Sequence, residues 1–284
     1  MEQGKHSQTA VGTALFRAAH QILDGAPKVL DDPLAEKILG PTQAASIRTE
    51  EEKHRRPYLV RARTLAVMRS RFVEDELAAA IERGVGQYVI LGAGLDTSPY
   101  RAPAKSRDLD IYEVDHPATQ RWKLESLQIA GIDIPSNVRH VPLNFETDSL
   151  AERLTAAGFD PSRATFFSWL GVTYYLGDDA FRDTLRFIAS GVPGTQVIFD
   201  FGLSDSELSA EELDAFRTFS QYLEKNNEPW LSRFSPRDLQ KVLAEIGFRD
   251  SFYLSRELAT ERYLSGRDDG LNLDVLIQMM SATV

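Results

Sequence analysis

The stretch QYVILGAGLDTSPYR, from Gln87 to Arg101, decides how the rest of the chain is interpreted. Tyr88 to Leu91 is a short apolar run typical of a buried strand, and it leads directly into Gly92-Ala93-Gly94. A second apolar segment follows about twenty residues later and ends in acids at Glu113 and Asp115. Glycines let a backbone approach a ligand closely, and a downstream acid can accept hydrogen bonds from ribose hydroxyls. The stretch therefore predicts a nucleotide-like cofactor site.

The composition is typical of a globular protein without cysteine chemistry. The 284 residues are 43% hydrophobic and 26% charged, enough for one large α/β domain. The net charge of −10 argues against general nucleic-acid binding. No cysteine is present, and the five histidines are not paired at metal-ligand spacing, so we expect no metal. Without a signal-like or transmembrane apolar run, we expect a cytoplasmic monomer or homodimer that binds no membrane.

After the glycine loop, apolar strands alternate with helical segments. The pattern predicts strands at 87–92, 109–114, 138–142, 164–169 and 196–201, with helices at 117–130, 148–157 and 178–190. Such alternation indicates a mostly parallel sheet covered on both faces, with the ligand beyond the carboxyl ends of the strands. Two more strands, at 248–254 and 272–280 with the last antiparallel, would complete seven. The predicted fold class is α/β, with a Rossmann-like seven-stranded sheet.

The segments around this sheet are helical in character. Helices are predicted at 13–23, from 32 to 40, and over 50–83 with a break near Pro57. We expect residues 1–84 to form a helical cap on a core of residues 85–284, and 204–230 to form an inserted lid helix. From Lys53 to Val73 the chain is rich in Lys and Arg without an acid. This run is either a solvated face or a face that turns arginines inward to an anion, with Arg61 and Arg69 as candidates.

Several segments together resemble one known family. In order they are DDPLA at 31–35, MRSRFVEDEL at 68–77, ILGAGLDTSPYR at 90–101, YEVDHPATQRWK at 112–123, NVRHVPLNFE at 137–146, FFSWLGVTYYL at 166–176 and RYLSGRDDGL at 262–271. The chain resembles the leucine carboxyl methyltransferase family, and within it the bacterial branch that includes polyketide-tailoring carboxyl O-methyltransferases. The resemblance implies a class I methyltransferase fold and S-adenosylmethionine as the cofactor. Thr97 stands where the dinucleotide motif GxGxxG has its third glycine, which disfavours NAD.

The resemblance implies where the nucleoside end of the cofactor binds. Asp115 matches the acid that accepts hydrogen bonds from both ribose hydroxyls, with Glu113 as the alternative and helix capping as the structural role of Asp115. Asn144 and Phe145 stand where the family usually has Asp-Leu beside the adenine. The Asn144 oxygen can still accept from the adenine amine, and Phe145 can stack on the ring.

The resemblance also implies contacts to the methionine end. Arg69 matches the arginine that clamps the carboxylate with its planar fork, and Arg71 is the surface alternative. Leu170 stands where more distant members carry a Glu, so the ammonium is left to the backbone near Ser168 or to another acid such as Asp96. The backbone along the amino-acid part of the cofactor is that of Gly92, Ala93 and Gly94.

The acceptor site is the least determined part of the sequence. Tyr174 and Tyr175 follow the fourth strand, and Arg17 comes from the N-terminal helix, so these are the candidate substrate residues. A catalytic base is not evident, although His20 and Tyr174 are candidates. A carboxylate is already ionised at neutral pH and needs no base, whereas a hydroxyl does. We therefore predict an S-adenosylmethionine-dependent O-methyltransferase acting on a small-molecule carboxylate.

Four alternatives stay open at this point. A relative of this family could methylate a hydroxyl of a natural product or the C-terminal carboxylate of a protein. The departures at Leu170 and Asn144 would also suit a cofactor-binding relative without activity. An NAD-dependent oxidoreductase is the alternative outside the family.

Overall fold

A seven-stranded sheet with helices on both faces forms the centre of the molecule. The computed structural model describes residues 8–101, 108–145, 147–225 and 229–284. The strands are β1 Gln87–Leu91, β2 Asp110–Asp115, β3 Val138–Pro142, β4 Thr165–Trp169, β5 Gln196–Gly202, β6 Asp250–Leu254 and β7 Ile277–Thr283. Their order is β3-β2-β1-β4-β5-β7-β6, and β1 to β5 are parallel. Strand β7 is antiparallel to both neighbours, so the predicted fold class and its antiparallel last strand are confirmed.

Most helices lie where the sequence predicts helical segments. They are α1 Gln8–Leu23, α2 Ala35–Leu39, α3 Pro41–Thr49, α4 Glu51–His54, α5 Pro57–Glu82, α6 Ser98–Arg101, α7 Pro117–Ile129, α8 Leu150–Ala156, α9 Asp178–Ala189, α10 Ala210–Lys225, α11 Pro236–Ile246 and α12 Arg256–Leu264. Helix α3 was not predicted: Pro41 begins this helix rather than only ending the one before it, because proline fits the first helical turn. Strand β7 begins at Ile277, later than the predicted start at 272. The pairing of β7 with β5 begins there, with Ile277 opposite Gly202.

The central strands are buried on both faces. Along β1, Tyr88 and Ile90 pack into one core while Val89 and Leu91 pack into the other, because side chains alternate along a strand. The first core includes residues of α5 and α12, and the second includes residues of α9 and α11. Each large apolar side chain buried in this way contributes roughly 1.5–3 kcal/mol. This double burial explains why the strands are continuous apolar runs.

A third core joins the N-terminal helices to the glycine loop. Helix α1 contributes the fully buried Ala14, Ala18 and Ala19, whose small side chains allow close packing. Leu95, directly after the glycine loop, belongs to the same core. Helix α1 is therefore packed against the end of β1, where the cofactor site was predicted.

Candidate active site

The glycine loop is tied to the end of β2 by backbone hydrogen bonds. The N–H groups of Gly92 and Ala93 donate to the carbonyl oxygen of Val114 at 2.8 and 3.1 Å. Gly92 has a φ of 71°, and a Cβ atom there would lie 2.4 Å from Cγ2 of Val172. Both the left-handed backbone and the close approach require glycine at this position. The loop is thus fixed at the carboxyl ends of adjacent parallel strands.

Asp115 lies at the last position of β2 and faces this loop. Its Oδ2 accepts the N–H of Gly94 at 2.5 Å, and its Oδ1 accepts the N–H of His116 at 2.6 Å. Burial raises the pKa of this carboxyl, and the two backbone donors offset only part of that rise. The residue is half-buried, and each carboxylate oxygen has a second lone pair. Asp115 therefore combines its structural role with remaining capacity to accept hydroxyl donors.

Glu113 has a different environment. It is 1% exposed, and its Oε1 accepts a hydrogen bond from Nζ of Lys123 at 2.6 Å. Its Oε2 accepts one from the hydroxyl of Tyr100 at 2.8 Å. The Nε2 atom of His140 lies 3.3 Å from the same carboxylate. These buried partners fix Glu113 inside the protein, which favours Asp115 as the acid for a ribose.

Arg69 on α5 turns inward, towards the carboxyl end of β5. Its Nη1 lies 2.7 Å from Oδ2 of Asp200, and its Nη2 donates to Oγ1 of Thr13 at 3.3 Å. Burial lowers the pKa of Arg69, but Asp200 and the phenol of Tyr174 together outweigh burial and raise the pKa above its ordinary value. A Cβ atom at Gly171 would lie 3.3 Å from Nη2, so the guanidinium lies directly against the loop after β4. The arginine is charged and held at the ends of the central strands.

Asp200 was missed by the sequence analysis. It is fully buried at β5, and its Oδ1 accepts the N–H of Gly171 at 2.7 Å while Oδ2 binds Arg69. The available signal was a single acid inside the otherwise apolar run VIFDF at 197–201. A buried carboxylate usually has a charged or N–H partner, so an acid in such a run indicates a partner elsewhere in the chain. Asp200 connects α5 to the loop that follows β4.

The other arginines of α5 correct the predicted charged face. Arg61 is 42% exposed at its side chain and lies 3.4 Å from Asp274, so the prediction that it shares the inward face of Arg69 is wrong. Eight residues along an α-helix leave a rotation of roughly 80°, enough to separate the two side chains. Arg71 is also at the surface, 2.8 Å from Asp75. The second inward arginine is Arg63, which was not singled out.

Arg63 completes a buried cluster with His20 and Asp24. Both Nε and Nη2 of Arg63 lie 2.8 Å from the Asp24 carboxylate. His20 is fully buried, with Nδ1 2.7 Å from Asp24 and Nε2 accepting the N–H of Val29 at 3.1 Å. Both ring nitrogens of His20 are engaged, which leaves neither for proton abstraction.

Arg17 joins α1 to the glycine loop. It is 3% exposed, and its Nη2 donates to the carbonyl oxygen of Leu95. Its Nε lies 3.3 Å from Asp32 and its Nη1 lies 3.9 Å from Asp96. Burial raises the pKa of Asp96, but the charges of Arg17, Lys123 and Arg101 and the N–H of Ser98 together outweigh burial, so the pKa is lowered and the carboxylate stays ionised. Arg17 therefore holds the glycine loop and lies beside Asp96, the acid predicted to bind the ammonium group of the cofactor.

The DDPLA segment supports the same loop from the other side. Asp32 is fully buried and accepts the hydroxyl of Thr97 at 2.6 Å. Arg101 approaches the same acid with Nε at 3.3 Å. Through these contacts the segments DDPLA and GLDTSPYR satisfy buried polar groups of each other.

The remaining predicted cofactor residues follow β3 and lie within β4. Asp148 accepts the backbone N–H of Asn144 at 3.0 Å, which fixes the turn after β3, and Phe145 packs partly buried against the second core. Ser168 is 2% exposed and its Oγ lies 2.9 Å from the hydroxyl of Tyr88. The side chain of Ser168 is thus used within the core, and only its backbone is left for a cofactor.

Tyr174 and Tyr175 form a short 3-10 turn after β4, over Thr173–Tyr175. Tyr174 is 5% exposed and its phenol interacts with the guanidinium of Arg69. Burial and the charge of Asp200 raise the pKa of Tyr174 well above its ordinary value. Its hydroxyl is therefore protonated at neutral pH and cannot act as a base there.

A separate cleft of about 440 Å³ lies between the segment after α1, α5 and the end of α12. Its arginines are internally paired: Arg71 and Arg262 with Asp75, and Arg267 with Asp269. Arg262 also lies 3.3 Å from Glu76, so each of these arginines has an acidic partner, and the cleft is not lined by the glycine loop or Asp115. We assign no ligand to it.

The family model described as leucine carboxyl methyltransferase matches residues 10–189, which is well over half of the chain. The chain belongs to the leucine carboxyl methyltransferase family. The matched region begins in α1 and includes Arg69, the glycine loop and Asp115.

Relatives of this chain carry the names of methyltransferases. YktD of Bacillus subtilis, named as an S-adenosylmethionine-dependent methyltransferase, is 27% identical over 293 residues, covering 96% of each chain. Rv0830 of Mycobacterium tuberculosis carries the same kind of name and is 30% identical over 218 residues, covering 72% of this chain and 70% of its own. A crystal structure named as a methyltransferase from Thermobifida fusca is 15% identical, with a TM-score of 0.56 and coverage of 99% and 96%. At that identity the likeness supports the fold alone.

Family membership decides between the open cofactors. This leucine carboxyl methyltransferase family member is an enzyme that uses S-adenosylmethionine, so the predicted cofactor is confirmed and the NAD alternative is excluded. Within the described ranges, no helix is both long and apolar enough to cross a membrane. In the same ranges, no three His, Asp or Glu side chains are grouped to hold a metal ion.

Proposed function

We propose that this enzyme methylates a carboxylate oxygen of a small molecule. The observation that supports the proposal best is that both candidate bases are occupied or protonated. His20 uses both ring nitrogens inside a buried cluster, and Tyr174 keeps its proton because its pKa is raised by burial and by Asp200. A carboxylate needs neither group, since it is ionised and nucleophilic at neutral pH.

The cofactor would be held at the carboxyl ends of the central strands. Asp115 would accept the ribose hydroxyls, and Asn144 with Phe145 would contact the adenine. Arg69 would bind the methionine carboxylate with its fork, and Asp96 is the acid for the ammonium. The residues fit this group, since Gly92 and Gly94, which have no Cβ, lie beside an ionisable acid and a buried, charged arginine. When bound, S-adenosylmethionine supplies a methyl group on a positively charged sulfur, and transfer to a carboxylate gives a methyl ester and S-adenosylhomocysteine without loss of a proton.

Asp200 would act on the cofactor through Arg69. It lies 2.7 Å from one guanidinium nitrogen and also fixes Gly171, so it sets where the fork points. A preorganised arginine loses less freedom when it binds a carboxylate. We assign Asp200 as a positioning residue.

The N-terminal helices and α10 would close the site. Residues 1–84 would form the cap on a core of residues 85–284, and 204–230 would form the lid; within these ranges, residues 1–7, 102–107, 146 and 226–228 lie outside the described part of the chain. A Cβ atom at Gly94 would lie 3.2 Å from Cβ of Ala10, which shows how closely α1 approaches the loop. Enclosure of this kind excludes water from a displacement reaction. We further propose a cytoplasmic monomer or homodimer, and the net charge of −10 supports the absence of a nucleic-acid partner.

Methyl transfer to a panel of carboxylic acids and matched alcohols or phenols tests the acceptor class. The enzyme is incubated with S-adenosylmethionine labelled in the methyl group, and each labelled product is treated with mild alkali. We expect label in products of the acids, and alkali should release it as methanol because esters hydrolyse. Label only in alkali-stable products of hydroxyl compounds would overturn the carboxylate proposal.

A further inference from the structure

Lys123 is a buried cation that the proposed cofactor contacts do not use. This residue of α7 is 1% exposed, and its Nζ donates to Oε1 of Glu113 at 2.6 Å. The same nitrogen lies 5.2 Å from the ring centroid of Tyr100, a distance at which an aromatic face attracts a cation. Lysine is almost never fully buried unless its charge is paired. The burial of this ammonium is costly, so its charge is expected to be used.

Glu113, the acidic partner of Lys123, is held by two further elements. Its Oε2 accepts the hydroxyl of Tyr100 on α6, and burial together with Glu113 raises the pKa of Tyr100, so the phenol keeps the proton that it donates. Nε2 of His140 on β3 lies 3.3 Å from this carboxylate and 3.2 Å from the phenol oxygen. Because both neighbours can only accept there, Nε2 carries a hydrogen. Donors from α6, α7 and β3 therefore surround one buried carboxylate.

This ion pair is connected to Asp115 through both the strand and the helix. Glu113 and Asp115 are two positions apart on β2, so their side chains point to the same face of the sheet. Helix α7 begins directly after Asp115, with His116 as its N-cap and the N–H of His116 bound to the Asp115 carboxylate at 2.6 Å. The contact of Lys123 with Glu113 thus fixes α7 against β2 two residues before Asp115.

The two charges of the pair act on Asp115 in opposite directions. Burial raises the pKa of Asp115 most, and the N–H groups of Gly94 and His116 lower it. The ammonium of Lys123 lowers this pKa further, whereas the carboxylate of Glu113 raises it. The tyrosine of α6 and the histidine of β3 reach Asp115 through Glu113, which both contact. Lys123 therefore supplies the positive side-chain charge that favours an ionised Asp115.

The same ammonium also acts on Asp96, the acid proposed for the cofactor ammonium. Burial raises the pKa of Asp96, and Lys123 is one of the cations that outweigh burial, together with Arg17 and Arg101. One buried side chain thus serves the acids proposed for both the nucleoside end and the amino-acid end of the cofactor.

We propose that Lys123 is a positioning residue for the cofactor, because its ammonium supports Asp115 and Asp96 as acceptors for the ribose hydroxyls and the cofactor ammonium. The proposal rests on the roles proposed above for these two acids and adds the group that supports both. An ionised carboxylate accepts two hydroxyl donors, whereas a protonated one presents a donor of its own to the diol. Glu113 balances the charge of Lys123 in the interior, so that the ammonium is retained there.

The titration of Asp115 in the protein without ligand tests this role. NMR follows its carboxyl carbon in isotope-labelled aspartate, and the signal is assigned by its loss in Asp115→Asn. Glu113→Gln leaves Lys123 unopposed, so the pH midpoint of Asp115 should fall below that of wild type. Glu113→Gln/Lys123→Met removes both charges without leaving one unpaired. The midpoint in this double variant should lie roughly one pH unit above that of Glu113→Gln, the lower end of the effect of a close charge.

Gln120→Met is the matched control for the docking of α7. Nε2 of Gln120 donates to the carbonyl oxygen of Glu113 at 3.3 Å, so this variant loosens the same helix and strand without a change of charge. The Asp115 midpoint should stay at that of wild type. An equal shift in Gln120→Met, or equal midpoints in Glu113→Gln and Glu113→Gln/Lys123→Met, would overturn the role of Lys123.

Calorimetry with S-adenosylhomocysteine connects these midpoints to the cofactor. The pH at which affinity falls should follow the order of the Asp115 midpoints, and an affinity profile that ignores them while Asp115→Asn weakens binding would also overturn the proposal. Full affinity in Asp115→Asn would instead count against the proposed ribose contact, and the NMR midpoints would still show whether Lys123 acts on Asp115. Circular dichroism shows whether each variant is folded, and Glu113→Gln/Lys123→Gln serves if the methionine variant is not.

Discussion

Removal of the Arg69 guanidinium should weaken the binding of one end of the cofactor only. Arg69 is 7% exposed, and its fork lies against Gly171 at the strand ends. A hydrogen bond to a charged group contributes about 1.5–3 kcal/mol, so Arg69→Ala should weaken S-adenosylhomocysteine binding roughly 10- to 150-fold. The probe 5′-methylthioadenosine lacks the amino-acid part, and its affinity should stay within about threefold of wild type.

The assay is calorimetric titration of both compounds into each variant. Arg71→Ala is the matched control, two residues along the same helix but paired with Asp75 at the surface. Because Arg69→Ala leaves Asp200 buried without its partner, at a cost of about 3–5 kcal/mol, the variant Arg69→Met/Asp200→Asn removes both charges. Equal weakening of both compounds, or damage from Arg71→Ala instead, would refute the assignment.

Three further predictions concern the loop, the buried cluster and the ribose acid. Gly92→Ala should destabilise the protein more than Gly84→Ala in chemical denaturation, since both glycines have positive φ but only Gly92 would place Cβ against Val172; a Gly92→Ala/Val172→Ala double variant that recovers nothing would contradict the clash. Asp24→Ala should cost about 3–5 kcal/mol of the free energy of unfolding, because it leaves Arg63 buried and unpaired. Burial opposes ionisation of Asp24, but His20 and Arg63 lower its pKa below 3.8. The ionised Asp24 therefore stabilises the folded protein above pH 3.8, and this stabilisation is lost as the pH falls through the lowered pKa. Denaturation curves of wild type and Asp24→Asn should therefore converge in acid, and parallel curves would contradict this. Burial raises the pKa of Asp115 above 3.8. As the pH is lowered, Asp115 should therefore take up a proton, and affinity for S-adenosylhomocysteine should begin to fall, at a pH above 3.8. Asp115→Asn should remove this pH dependence in the same titration.

Much of the fold was readable from local pattern. Strands that are buried on both faces, such as β1 and β4, are continuous apolar runs. Their positions and the α/β class could therefore be predicted from composition and spacing. The predicted helix at 117–130 begins at a local start signal, with His116 as the cap and Pro117 in the first turn. Helix α3 was missed because Pro41 can either end one helix or begin the next, and only tertiary contacts decide between them.

The site was harder to predict because its key contacts join distant parts of the chain. The pairing of Arg69 with Asp200 and that of Arg63 with Asp24 depend on how α5 is rotated over the sheet, which helix periodicity alone does not fix. The rings of Tyr174, Phe216 and Trp230 likewise pack together from three separate segments of the chain. By contrast, Asp115 is the last residue of its strand and faces the glycine loop, so its placement could be predicted from sequence order.

A crystal structure with bound S-adenosylhomocysteine tests the central claim most directly. We predict that both ribose hydroxyls donate to the carboxylate of Asp115 and that the amino-acid carboxylate lies on the guanidinium of Arg69, with Asp200 still beside it. A ribose held by another acid, or a carboxylate bound away from Arg69, would contradict the account.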